Sequence, residues 1–202
     1  MSTYGIVVAA GRGRRFGGSK HDALLGGTPL WRHAADALLE GGVDQVITVG
    51  PVPGGIPGGE RRRDSVLAGL EAVPAEVEHV LVHDAARPLA SASLVVRVLE
   101  RLRSGDAVAV VPVLPVPDAL KRLDGDWVEA TVDRSTLAVA QTPQGFVASM
   151  LREAHAAYPD DVPDDAALVE RLGGKVAAVP GEPSNIKVTY PADLVLAGAL
   201  LQ

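Results

Sequence analysis

The 202 residues contain no cysteine. That excludes a disulfide framework, thiolate zinc sites and a cysteine nucleophile together. Basic residues are also short: 19 Lys and Arg against 25 Asp and Glu leave a formal net charge of −6. A general nucleic-acid binder advertises the opposite balance. No apolar run is long enough to cross a bilayer; the longest, residues 107–117, is interrupted by Pro112, Pro115 and Pro117. Glycine (22) and proline (15) make up less than a fifth of the chain, below the roughly 25–30% typical of low-complexity disorder. None of the five histidines shows metal-ligand spacing, no internal repeat is visible, and no linker separates two domains. At the N-terminus the apolar residues precede the arginines, the reverse of a secretory signal. The expectation is a soluble, cytoplasmic protein with no membrane or nucleic-acid partner. A length near 200 suits a single domain over 1–202 with a substantial core.

What is present alternates between strand and helix patterns. Residues 4–10 form a β-branched run, followed by a glycine-rich loop over 11–18. Thr28-Pro29 predicts an N-cap with proline at the first helical position, and Gly41-Gly42 closes that helix. Further strands are expected at 45–49, 79–83, 107–113 and 175–179. Helices are expected near 64–73, 94–102, 147–157 and 164–172, and after Pro191. The continuous apolarity of 107–113 is that of a strand covered on both faces. The alternation predicts an α/β fold whose sheet is mostly parallel, with helices on both faces. Only residues 118–137 break the rhythm. Two strand-like runs around Asp124-Gly125 read as a polar β-hairpin arm, and arms usually contact something.

Six segments could carry chemistry. The first, residues 9–20, follows the first strand, where an open α/β sheet places its ligand crevice. It holds Arg12, Arg14, Arg15 and Lys20, and the first 20 residues contain no acid. Glycines, exposed amides and cations together suit a polyphosphate. Phe16 stands where a dinucleotide fingerprint needs its third glycine, and Ser19-Lys20 reverses the P-loop order. The second is Gly58-Gly59-Glu60-Arg61-Arg62-Arg63-Asp64-Ser65, either a phosphate- or base-recognising loop or a solvated cationic face. The third is His83-Asp84-Ala85-Ala86-Arg87 at a strand end. Asp84 there is either a Mg²⁺ ligand beside bound phosphates or a turn cap paired with Arg87. The remaining segments are 112–121 with Asp133-Arg134, then 141–146, then 185–194. Singly these read as turns and caps, and Lys187 as a surface lysine.

In their order and spacing, the six segments resemble the cytidylyltransferases that make 4-diphosphocytidyl-2-C-methyl-D-erythritol in the non-mevalonate isoprenoid pathway. The resemblance implies a Rossmann-like nucleotidyltransferase fold, CTP and a polyol phosphate as substrates, Mg²⁺, and a homodimer with exchanged arms. Carried over by residue, Ala9, Ala10 and Gly11 would line the nucleotide, while Arg15 and Lys20 brace its phosphates. Gly58, Arg62, Ser65 and Ala85 would approach cytosine and ribose. Asp84 would take the metal. Arg87, Thr142, Asp118, Lys187 and the neighbouring subunit's Arg134 would hold the sugar phosphate. The chain departs from the family pattern at Ser19 and His21, which flank Lys20, and at Ala119 and Ala138. An acceptor such as ribitol 5-phosphate, or a non-catalytic nucleotide-binding regulator, are the alternatives.

The implied reaction is attack of a phosphate oxygen on the α-phosphorus of CTP. A phosphate monoester is already largely ionised at neutral pH, so positioning and charge neutralisation carry the catalysis. Arg15→Ala and Lys20→Ala are therefore expected to lower kcat by about 10²–10³ while changing the KM for CTP far less. Steady-state kinetics showing less than about a tenfold loss in both variants would remove the role from this loop.

Overall fold

The computed structural model describes residues 2–11, 13, 16 and 23–201. In chain order the elements are β1 (Thr3–Val8), β2 (Leu24–Leu25), β3 (Thr28–Pro29), α1 (Leu30–Glu40), β4 (Gln45–Val49), α2 (Arg62–Ala72), β5 (His79–Asp84), α3 (Ala92–Arg103) and β6 (Ala109–Pro115). There follow β7 (Leu120–Asp124), β8 (Trp127–Val132), β9 (Ala138–Ala140), β10 (Gln144–Val147), α4 (Ala148–Ala157), α5 (Ala166–Arg171), β11 (Val176–Pro180) and α6 (Pro191–Leu200).

The main sheet runs β11-β6-β10-β5-β1-β4, with β9 added alongside β6. β1 lies between two parallel partners, β4 and β5. All six residues of β5 are buried, which requires cover on both faces. Its side chains divide by the period of two. Leu81 points to the layer formed by α1 and α3, with Leu38, Val95 and Val98. Val80 and Val82 point to the layer formed by α2, α4 and α5, with Leu70, Leu151 and Leu168. This bilateral core fixes the carboxyl ends of β1 and β5 side by side.

Two expectations are corrected here. Thr28-Pro29 does not start a helix: both residues form β3, paired antiparallel with β2, and α1 begins at Leu30. The strand pair takes these residues before the helix can. The segment 141–146 is not simply a turn, since β10 lies antiparallel between β5 and β6 in the middle of the sheet. Gly145 permits this placement. A Cβ there would fall 2.7 Å from Val98 Cγ1, so α3 packs directly on the strand backbone. Phe146 faces the opposite layer and is fully buried. A four-residue strand is too short for periodicity to reveal.

The arm forms as expected. β7 and β8 are joined across Gly125-Asp126 and, among the described residues, pair only with each other. It is less polar than its sequence suggests, because Leu123, Val128 and Trp127 stand exposed, the last at 81%.

Candidate active site

The carboxyl ends of β1 and β5 open into a pocket of about 320 Å³, where a doubly wound sheet places its ligand. Ala9, Ala10 and Gly11 line it from the end of β1, and Arg62 and Ser65 from the start of α2. Asp84 and Ala85 enter from the end of β5, Lys187 from the segment before α6, and Leu30 and Trp31 from α1. Gly58 lies immediately behind this wall. A Cβ on it would fall 2.5 Å from Ala10 Cβ and 2.9 Å from Ser65 Oγ. Only glycine lets the loop close so tightly on the end of β1. The Gly59 amide donates to Ser65 Oγ at 3.2 Å, and Ser65 Oγ donates to the Arg61 carbonyl, which ties the loop to the first turn of α2.

The arginine run does not act as one face: its three side chains leave in three directions, and Arg61 and Arg62 line the pocket. Arg61 binds Asp64 and the Pro159 carbonyl. Arg63 is buried and donates to the His155 carbonyl at 2.6 Å. Arg62 bridges two carboxylates, with Nε 3.1 Å from Asp84 Oδ1 and one terminal nitrogen 2.6 Å from Asp165 Oδ2. Beyond them, Lys187 Nζ donates to Asp84 Oδ2 at 2.7 Å, and His155 Nε2 lies 3.1 Å from Asp165 Oδ1. Lys187, Asp84, Arg62, Asp165 and His155 thus form one chain of alternating partners from the pocket into the core.

Electrostatics follow from that order. Burial would raise the Asp84 carboxyl, but Arg62 and Lys187 outweigh it and hold Asp84 well below the usual carboxylate range. Burial and then Arg62 act on Asp165 in the same opposed way, with the same downward outcome. For Arg62, burial is overcome by Asp165 and Asp84, so the guanidinium holds its proton more firmly than usual. The partner expected for Asp84 as a turn cap was Arg87, and this is corrected. Arg87 instead donates to the carbonyls of Asn185 and Ala140.

Thr142 also works behind the pocket rather than in its lining. Its buried hydroxyl accepts the Asp84 amide at 3.1 Å and shares a 2.8 Å hydrogen bond with His83 Nδ1. Burial lowers the His83 pKa to about 4. Asn185 donates to the Thr142 carbonyl, and the Val188 amide to the Ala86 carbonyl. These bonds hold the segment that carries Lys187 against the end of β5. Asp118 is exposed at the foot of the arm. Arg134 donates to the carbonyls of Val116 and Pro117 in its own chain and does not line the pocket. Arg15 and Lys20 lie outside the described residues. The sequence reading gave Asp165 and His155 no site role: Asp165 stood only in Pro163-Asp164-Asp165, a departure from the family pattern, and His155 only as a helical residue. The one available signal was the acid pair Asp164-Asp165 ahead of a short helix.

No cluster of three or more His, Asp or Glu that could hold a metal exists among the described residues. Asp84 is the buried carboxylate that lines the pocket, and both its oxygens are engaged by cations. Mg²⁺ fits such a donor set only when one cation yields its oxygen and phosphates and water complete the shell, the mode in which that ion is usually bound.

A crevice at parallel strand ends, walled by a glycine loop and lined by paired cations, defines a Rossmann-like nucleotidyltransferase. Within that class, the chain belongs to the 2-C-methyl-D-erythritol 4-phosphate cytidylyltransferase family, whose family model matches residues 4–202. The enzyme of that name from Rhodococcus jostii (strain RHA1) is 47% identical over 214 residues, covering 98% of this chain and 94% of the relative. That from Saccharopolyspora erythraea is 45% identical over the whole of both chains. The crystal structure of the Thermus thermophilus enzyme superposes with a TM-score of 0.82 at 38% identity, over 97% of each chain.

The start of α2 offers a pH test. Asp64 accepts from the Arg61 side chain and amide, which lowers its pKa to about 2. A depressed folded-state value stabilises above the unfolded pKa of about 3.9, and the gain is lost as pH falls through the folded value. Asp64→Asn should cost about 0.3–1 kcal/mol at pH 7, the range of a solvent-screened charge at a helix start. Urea midpoints for the two proteins should converge by about pH 2. An undiminished gap there would assign the cost to something other than the carboxylate charge.

Proposed function

We propose that this chain transfers the cytidylyl group of CTP to 2-C-methyl-D-erythritol 4-phosphate, giving 4-diphosphocytidyl-2-C-methyl-D-erythritol and pyrophosphate. The observation that carries the reading is the Lys187–Asp84–Arg62 ladder facing the Ala9-Ala10-Gly11 turn within a chain of this family. An acceptor phosphate oxygen attacks the α-phosphorus, and the bond from that phosphorus to the bridging oxygen of pyrophosphate breaks. No general base is asked for, because the attacking oxygen carries no proton that must be removed.

In this reading the base and ribose rest on Ala9, Ala10, Gly11, Ser65 and Ala85, where Gly58 brings the wall close enough to favour a pyrimidine over a purine. Arg62 stays beside them as a buried cation. Lys187 leaves Asp84 for the phosphates of the reacting pair, and Arg15 and Lys20 neutralise the α-phosphate and leaving group. When bound, Mg²⁺ would supply further neutralisation of triphosphate charge, held by the Asp84 carboxylate that Lys187 releases. Thr142 and Arg87 keep Asp84 and the Lys187 segment in register. Preorganised charge of this kind supplies most of the barrier reduction in such a transfer.

Pyrophosphate release should be measured with CTP and with methylerythritol, ribitol or erythritol phosphate, in Mg²⁺ and in EDTA. The expected result is turnover with CTP and methylerythritol phosphate that stops in EDTA. Faster turnover with ribitol phosphate would move the chain to another polyol acceptor, and no turnover would support a regulator.

The arm belongs to the same proposal. A two-stranded hairpin is marginal in water, and this one exposes Leu123, Trp127 and Val128. A second copy of the chain would cover them and bring its Arg134 to the acceptor. Arg134→Ala should then raise the acceptor KM with CTP binding nearly intact. Mixing Arg134→Ala with Lys20→Ala protein should restore activity, since each heterodimer has one site with both defects and one with neither. No recovery after native mass spectrometry has confirmed subunit exchange would place Arg134 outside the neighbour's site.

A further inference from the structure

We infer that Asp165, backed by His155, is a positioning residue for the nucleotide site: it holds Arg62 in place independently of Asp84. The inference rests on reading the pocket as the CTP site, and it concerns two residues that do not line that pocket.

The first observation is what Asp165 leaves undone. It occupies the N-cap position of α5, where an aspartate normally accepts from first-turn amides, yet its side chain makes no cap bond. Asp164 performs that task, with Oδ1 3.1 Å from the Ala167 amide nitrogen. The Asp165 carboxylate is instead turned inward and has no exposure. An ionised carboxylate in the interior costs several kcal/mol unless it is well paired. Its pairing is with Arg62 on one oxygen and His155 on the other.

The second observation is how Arg62 is gripped. A guanidinium is a rigid plane, so bonds through two different nitrogens to two anchors fix its orientation as well as its position. Nε is held by Asp84 and a terminal nitrogen by Asp165. Asp84 is the exchangeable anchor, because it lines the pocket and also pairs with Lys187. Whatever recruits its charge during turnover loosens its hold on Arg62. Asp165 has no access to the pocket and keeps its hold throughout.

The third observation ties the anchor to the scaffold. His155 is linked to both neighbouring arginines of α2, to Arg63 directly through its carbonyl and to Arg62 only through Asp165, which its ring meets. One residue of α4 thereby sets the register of the start of α2, where Arg62 and Ser65 face the ligand. A purely structural pair would tie the helices together without affecting affinity in the folded protein. A positioning pair alters affinity through Arg62 alone, and that difference can be measured.

The test is CTP binding by calorimetry, with KM and kcat alongside, on parent, Asp165→Asn, Arg62→Met and the double variant, each checked for folding by thermal unfolding. Asp165→Asn should weaken CTP binding about tenfold, equivalent to about 1.4 kcal/mol, with kcat changed by less than about threefold. Adding Asp165→Asn to Arg62→Met should weaken binding no further, since coupled residues are non-additive. A folded Asp165→Asn protein whose CTP affinity stays within about twofold of the parent overturns the inference, as does an undiminished penalty in the Arg62→Met background. If Asp165→Asn does not accumulate as folded protein, His155→Leu asks the same question, and His155→Gln, which keeps a donor, should recover part of the loss. Affinity unchanged in both His155 variants then overturns the inference. If the parent binds CTP, these outcomes bear on Asp165 alone. If the parent does not, the functional reading falls and takes the inference with it.

Discussion

The site depends on one shared charge. Asp84 is a buried carboxylate between two cations from distant parts of the chain, Arg62 from α2 and Lys187 from the segment before α6. Remove either cation and the carboxylate is left buried with half its compensation. Remove the carboxylate and two cations meet across the pocket with no anion between them. The balance holds only while all three are present, and any polyanion entering the pocket would compete for the two positive members.

Much of the fold serves to hold that arrangement. β5 ends at Asp84 with every residue buried, so the carboxylate cannot move without disturbing both helix layers. β10 runs antiparallel beside β5 and sets Thr142 under the Asp84 amide. Asn185 and Val188 then bind the far end of the chain to the same place. Hydrogen bonds to the backbone, which are directional and costly to bury unmade, define where the side-chain charges meet.

The elements legible in the sequence were those with local signals. β-branched runs marked β1, β4 and β5, paired glycines closed α1, and Asp124-Gly125 announced the β7–β8 hairpin. The elements that were not legible had no local signal to offer. β10 is four residues long, and β3 forms only because β2 pairs with it. Of the site, the Ala9-Ala10-Gly11 turn and Asp84 could be read from their place at strand ends. Lys187 looked like a surface lysine because its partner lies 103 residues away, the separation that also divides Arg62 from Asp165. No window along the chain contains such a pair. The order of the motifs, by contrast, carried the family resemblance through to the match over residues 4–202.

The span of these contacts bears on synthesis. The ribosome releases Arg62 and Asp84 long before Lys187, and β10 is also made after both of its neighbours in the sheet. Until then β5 has an open edge, and Asp84 has Arg62 without its second cation. Non-local pairing of this kind closes late, and unpaired strand edges invite association between nascent chains. The negative charge that holds Arg62 and Lys187 together in the finished pocket has, in the growing chain, a second consequence. It keeps the end of an otherwise apolar strand hydrated until the residues that bury it have been made.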